Sequence, residues 1–116
     1  MKQLDLLKSR IGMKLVRIGK MTRAIAVQRF SAKNFEITPE QLMVLSALID
    51  HDGLYQRQIG MITLKDRPNI TRIINILEKM NFVTRKPDVN KRKIYKIFVT
   101  DEGKNVVKKV MPTALD

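Results

Sequence analysis

Between Asp66 and Met80 the chain reads DRPNITRIINILEKM, and Ile70, Ile73, Ile74 and Leu77 recur there at helical spacing. That period predicts an amphipathic helix from Arg67 to Met80 that has to bury one face. Asp66 is a good N-cap, and Pro68 stands in the first turn, where a backbone N–H would have no helical partner. The other face carries Arg67, Asn69, Thr71, Arg72, Asn75 and Lys79, with no acid until Glu78 at its edge. Such side chains hydrogen-bond phosphates and the edges of bases. Any amphipathic helix has a solvated face, so the sign of the charge has to decide between the two readings. The chain has 116 residues with 23 Lys and Arg against 11 Asp and Glu, a formal charge of +12. A field of that sign attracts polyanions, nucleic acid first and an anionic membrane surface second.

Composition removes other classes. At 116 residues the chain is expected to form one domain, residues 1–116, with a single modest core. It has no cysteine, which leaves no disulfide framework or thiolate metal site and fits a reducing cytosol. His51 is the only histidine and precedes Asp52-Gly53, the place of a solvated helix end rather than of a metal or catalytic site. No Ser/His/Asp set is available beyond it, there is no glycine-rich phosphate loop, and the carboxylates are scattered. The expectation is a non-enzyme with no cofactor and no metal. No apolar run approaches the roughly 20 residues of a membrane span. The basic, amphipathic N-terminal segment is poor in Ser and leads on without a break, so it reads as structure rather than as a transit peptide. A cytoplasmic, nucleoid-associated protein is the expected setting.

In chain order, residues 3 to 30 are predicted as one long helix, with Leu4, Leu7, Ile11, Leu15, Ile18, Thr22 and Ile25 along a near-heptad seam. Leu6, Met13, Val16, Met21 and Val27 widen the apolar surface beyond what a small domain covers from within, and a partner subunit is the physical inference. Thr38-Pro39-Glu40-Gln41 is a capping box with proline at the first helical position, and Ile37 and Leu42 stand at the staple positions. The helix it opens should bury Leu42, Leu45, Leu48 and Ile49 and end near Asp50. Asp52-Gly53 is a turn, Leu54-Tyr55 a short strand candidate, and Gln56 to Ile62 a short helix with Ile59 and Ile62 inward. Two helices joined by a tight turn, the second with a polar outer face, form a helix-turn-helix.

Phe82 to Lys86 and Ile94 to Thr100 are the strand candidates that follow. The loop between them, Pro87 to Lys93, holds Lys91, Arg92 and Lys93 and suits a minor groove or phosphates, or else guards a strand edge. Thr100-Asp101-Glu102 starts a last helix with acids at its positive end and Val106, Val107, Val110 and Met111 on its apolar side, before Pro112. The fold class is therefore α+β, mainly α: a winged helix-turn-helix with a long N-terminal dimerisation helix (3–30), a DNA-binding core and two-stranded wing (38–100), and the start of a C-terminal dimerisation helix (101–116).

This order and its signposts are specific. Thr38-Pro39-Glu40-Gln41, Gly53-Leu54, Asp66-Arg67-Pro68-Asn69-Ile70-Thr71-Arg72, Leu77-Glu78-Lys79 and Thr100-Asp101-Glu102-Gly103 resemble the MarR family along essentially the whole chain. The resemblance implies a prokaryotic homodimeric transcription regulator that binds double-stranded DNA, with a recognition helix in the major groove, a wing beside the minor groove and release by a small-molecule effector. Pro68, Asn69, Thr71 and Arg72 match the groove-facing start of the family's recognition helix, and Gln56 and Arg57 match positions that reach phosphates. Arg67 and Asn75 on the same face, with Lys91, Arg92 and Lys93 in the wing, complete the expected DNA contacts. Leu4, Leu7, Ile11, Leu15, Ile18, Val107, Val110 and Met111 are the expected dimer contacts.

The wing departs from the family. Lys91 and Lys93 stand where an acid and an arginine are usual, and Tyr55 replaces the small hydroxyl residue usual before the third helix. The chain also stops soon after Pro112, short of the family's usual C-terminal helical region, which shifts the expected burden of dimerisation onto residues 3 to 30. A winged-helix module that binds RNA or bridges proteins is the alternative, disfavoured by the few aromatic side chains available for stacking on bases.

Overall fold

The computed structural model describes residues 9–51, 53–90 and 94–115. Two compact units make up the chain, Met1–Phe35 and Glu36–Asp116. The first contains α1, Arg10–Ala32. Ser9 is extended and its hydroxyl oxygen accepts from the Gly12 N–H at 2.9 Å, so it caps the helix. One continuous helix from residue 3 is thereby corrected, because the cap breaks it at Ser9; Leu4, Leu6 and Leu7 lie outside the described residues. The helix ends past Phe30, with Asn34 in the left-handed region closing it. Ile11, Leu15 and Ile18 are 70%, 62% and 58% exposed, and Met13, Val16, Met21, Ile25 and Val27 are exposed as well.

The second unit runs α2 (Pro39–Asp50), β1 (Leu54–Tyr55), α3 (Gln56–Thr63), α4 (Arg67–Lys79), β2 (Val83–Pro87), β3 (Tyr95–Val99) and α5 (Asp101–Leu115). The expected capping box is formed in full: Gln41 N–H donates to Thr38 Oγ1 at 3.2 Å, and Thr38 N–H donates to Gln41 Oε1 at 3.0 Å. Helix α2 buries Leu42, Val44, Leu45, Ala47 and Leu48. Ile49, expected inside, is exposed, because the buried stripe runs through Val44 and Ala47 instead. In α3 Ile59 is fully buried, but Ile62 is half exposed; Thr63 takes the inward position and returns its hydroxyl to the Ile59 carbonyl at 2.7 Å. A buried hydroxyl is tolerated there because it is hydrogen-bonded. Leu64, in the left-handed region at φ 56°, then turns the chain toward α4.

The sheet is antiparallel in the order β1-β3-β2. Leu54 stands opposite Ile97, while Val83 to Pro87 pair with Val99 to Tyr95. The central strand buries Ile97, and the outward residues Tyr95 and Lys96 continue into the wing. Helix α5 packs on α2 and β3 through Val106, Val107 and Val110. It does not end before Pro112 but runs on to Leu115, with the proline inside it. Val107 and Val110, expected to face a second subunit, are occupied by the core of their own chain, and Met111 is half-buried.

Two glycines are dictated by space. Gly53 has φ +92°, and a Cβ there would lie 2.6 Å from the Phe98 ring. At Gly103, in the first turn of α5, a Cβ would lie 2.3 Å from the Phe82 carbonyl oxygen and 2.8 Å from Val99. The neighbour at Gly103 is backbone and has no rotamer to yield. Gly103→Ala is therefore expected to cost about 1–3 kcal/mol as an overpacked site, despite the higher helix propensity of Ala. A denaturant midpoint equal to or above that of the wild type would contradict this packing.

Candidate nucleic-acid interface

The polar face of α4 is presented by the burial of its other side. Ile70, Ile73, Ile74 and Leu77 are all inside, and Asp66 caps the helix by accepting from the Asn69 N–H at 3.0 Å. Arg67, Pro68, Thr71, Arg72, Asn75 and Lys79 then form one strip together with Ile76. Gln56 and Arg57 open α3 and line, with Arg67, Lys65 and Arg85, an open groove of about 1240 Å³ between α3, α4 and β3. Among the described residues no carboxylate lines either surface. A concave basic surface beside an exposed helix concentrates positive potential where a polyanion would lie.

Most of the expected residues are thus brought together, and hydrogen bonds join them. Gln56 Nε2 donates to Thr71 Oγ1, and that hydroxyl donates to the Arg67 carbonyl at 2.9 Å. This chain ties the start of α3 to the first turns of α4. Asn69 lines neither the strip nor the groove. Its amide donates to Asp66 Oδ2 at 3.2 Å, and its Oδ1 faces Arg72 Nη2 at 3.5 Å. Lys91, Arg92 and Lys93 lie outside the described residues.

Two cross-links were not legible in the sequence. Arg85 of β2 donates from Nη1 to Glu78 Oε1 at 2.6 Å and from Nη2 to Asn75 Oδ1 at 2.7 Å, fastening the wing to the outer edge of α4. Glu78 as the lone acid at the edge of a basic face was the only available signal. Tyr55 does not cap α3 with its side chain; Gln58 Oε1 accepts from its N–H at 2.9 Å instead. The Tyr55 hydroxyl reaches across 33 residues to donate to Asp88 Oδ2 at the base of the wing. Asp88 also accepts from the Asn90 N–H at 3.0 Å and donates its own N–H to the Ile94 carbonyl at 2.8 Å, closing the hairpin. Lys96 lies over the Tyr55 ring and Lys86 over the Phe98 ring, at 5.6 and 5.0 Å from the centroids. The large side chain that replaces a small cap thus serves the wing.

The arrangement defines a winged helix-turn-helix protein in which α4, the start of α3 and Arg85 of β2 share one basic face. The MarR family model matches residues 37–95, and the chain belongs to that family. The HTH-type transcriptional regulator YybA of Bacillus subtilis (strain 168) is 30% identical over 90 residues, which is 77% of this chain and 60% of that protein. The chain thus spans about three-fifths of that relative's length. The transcriptional regulator SlyA matches with a TM-score of 0.78 at 27% identity, over 90% of this chain and 72% of the other. MepR of S. aureus in its DNA complex shares the fold, with a TM-score of 0.79 at 22% identity over 91% of this chain and 77% of that one.

The Tyr55–Asp88 link has a pH signature. The hydrogen bond to Asp88, burial and the charge of that carboxylate together raise the phenol above its ordinary 10.0. The folded chain favours the neutral phenol, so the link's contribution is complete below the unfolded value and is lost as pH rises through the raised one. In an absorbance titration of tyrosinate formation, a step later than that of free tyrosine is expected, and Tyr55→Phe should abolish it. A late step that survives in Tyr55→Phe would exclude this bond as its source.

Proposed function

We propose that this protein is a cytoplasmic, sequence-specific regulator of transcription that binds double-stranded DNA as a homodimer and is not an enzyme. The observation that carries the reading is the strip of Arg67, Thr71, Arg72 and Asn75 on an exposed helix, set beside a basic groove that no carboxylate among the described residues lines. Among the described residues no group of three or more His, Cys, Asp or Glu side chains is placed to hold a metal, and no helix is long and apolar enough to cross a membrane. The recognition helix enters the major groove, Gln56 and Arg57 reach phosphates, and the basic wing with Lys91, Arg92 and Lys93 follows the backbone toward the minor groove. Membership of the MarR family supports this reading, as does the DNA complex of MepR with its shared fold. Control by a small-molecule effector comes with the family.

Binding is expected to fall steeply with salt, log K linear in log salt, because phosphate contacts release counterions. Arg72→Ala should weaken a selected duplex by on the order of 1–3 kcal/mol while leaving the fold intact. Filter binding across a salt series decides the matter; a flat salt response, or an equal preference for single-stranded RNA, would sink the reading.

The homodimer rests on α1, where eight large apolar side chains from Ile11 to Val27 stay exposed along a helix. Water-exposed apolar area of that extent calls for a partner, and a second copy supplies the same seam by twofold symmetry. With Val107 and Val110 occupied in their own core, Ile11, Leu15 and Ile18 carry the proposed contact. Replacing Ile11 and Ile18 with Asp places unpaired carboxylates in the seam, which is strongly unfavourable. Sedimentation at micromolar concentration should then give a monomer with lost operator affinity; a double variant that remains a dimer would overturn the assignment.

A further inference from the structure

We infer that the recognition helix reads guanine in the major groove, because the donors of Arg67, Arg72 and Lys79 dominate its exposed face and Arg85 already engages the oxygen of Asn75. The inference rests on the DNA-binding reading above and names the base that the same face selects. A guanidinium can only donate, so the atom of Asn75 that meets Arg85 Nη2 at 2.7 Å has to be the carbonyl oxygen. Its amide nitrogen is thereby turned outward. A carboxylate without a proton can only accept, so Asn69 has to offer its nitrogen to Asp66, and its oxygen faces Arg72. The hydroxyl of Thr71 spends its proton on the Arg67 carbonyl and accepts from Gln56. The three neighbouring carboxylates are occupied too: Asp66 in the cap, Glu78 by Arg85, and Glu40 by Lys65 at 3.4 Å and Arg72 at 3.9 Å. What α4 presents outward among the described residues is then led by donors, Arg67, Arg72, the amide nitrogen of Asn75 and Lys79, beside the Asn69 oxygen that faces Arg72 at 3.5 Å.

Each base shows a different edge in the major groove. Guanine offers two acceptors, N7 and O6, whereas adenine pairs an acceptor with a donor and cytosine offers a donor. An asparagine reads adenine with its oxygen and nitrogen together. Arg85 already takes one lone pair of the Asn75 oxygen and fixes the direction of the amide, which favours donation from its nitrogen over the two-point adenine contact. Arginine, in contrast, fits guanine with two parallel donors. The match of face to edge is therefore guanine under Arg72 or Arg67, with Asn75 donating to a further acceptor. Arg85 is a positioning residue: it lies on the wing strand and sets which end of Asn75 is offered.

The test uses the full chain and duplexes selected from a random pool. Guanine is expected at one or more fixed positions of each selected half-site. Replacing those guanines with 7-deazaguanine removes the N7 acceptor and should weaken binding about 10-fold or more. Inosine in the same positions keeps N7 and O6 and should bind within about twofold, since it loses only the minor-groove amine. A second selection with Arg85→Met should admit adenine at the position that Asn75 contacts, because its amide is then released to turn, while the guanine under Arg72 or Arg67 stays fixed. Selected sites without fixed guanine, or tight binding that is indifferent to 7-deazaguanine, would overturn the inference while leaving duplex binding standing. An unchanged base preference in folded Arg85→Met would overturn the role of Arg85. The deazaguanine result comes from the wild-type chain and stands even if that variant does not fold. A wild-type chain that binds no duplex at all would overturn the parent reading instead.

Discussion

Ile70, Ile73, Ile74 and Leu77 leave no more than 1% of their surface to solvent, and burying such side chains is worth roughly 1.5–3 kcal/mol each. This contact fixes the rotation of α4 about its axis. A helix turned by one residue, about 100°, would carry Thr71, Asn75 and Glu78 into the core and Ile70, Ile73 and Leu77 toward water. Because α4 packs on α2, α3 and β2 through this seam, the position of its polar face relative to the wing is also decided there. The capping groups then set where the helix begins. Asp66 holds the first turn, and Leu64 turns the chain sharply between the two helices. Apolar burial thus supplies the energy, and the caps supply the register.

The wing is placed by polar contacts of a different kind. Strand β3 lies at the centre of the sheet and is paired on both sides, so it is the fixed member. Arg85 joins β2 to α4, and Tyr55 joins the α3 side to the hairpin base at Asp88. Exposed ion pairs contribute little stability, commonly less than about 1 kcal/mol, so geometry is the better account of the Arg85 bond. It orients a guanidinium, a carboxylate and an amide with respect to one another. Gly103 completes the frame by letting α5 approach the Phe82 carbonyl, and Thr100 links the same corner by donating to the Asn81 carbonyl at 2.7 Å.

Elements governed by local chemistry were legible in the sequence. The capping box at Thr38, the cap at Asp66, the helices from Pro39 and Arg67 and the strand pair all stand close to where their residues point, because caps and periodicity act within a few positions. The misses share a cause. Ile49 and Ile62 each satisfy a helical period, but which of two neighbouring apolar residues turns inward depends on the partner surface. The start of α1 was missed for a smaller reason, since Ser9 is itself a good cap that the apolar seam on either side obscured. Val107 and Val110 looked available for a partner only because an apolar stripe does not state which surface will cover it. That Arg67, Thr71, Arg72 and Asn75 share one exposed face of α4 was legible through their sign and spacing. Arg85 and Tyr55 were not, since each acts on a residue that only the tertiary fold brings near.

A chain with twice as many cations as acids still has to decide where its cations stand. Of the 11 acidic residues, Asp66, Glu40, Glu78 and Asp88 sit around the basic face, yet none lines it. Glu40 and Glu78 pair with Lys65, Arg72 and Arg85 at the edges of the face, and Asp66 and Asp88 are drawn into a cap and a hairpin. Carboxylates spread at random would shorten the reach of the positive field and offer acceptors to the groove. Paired at the edges, they fix the direction of the side chains while the outward surface keeps one sign. A basic excess alone draws any polyanion at close to the same strength. Discrimination between sequences would require donors held at fixed positions, and the ion pairs of Glu40 and Glu78 are contacts able to hold them.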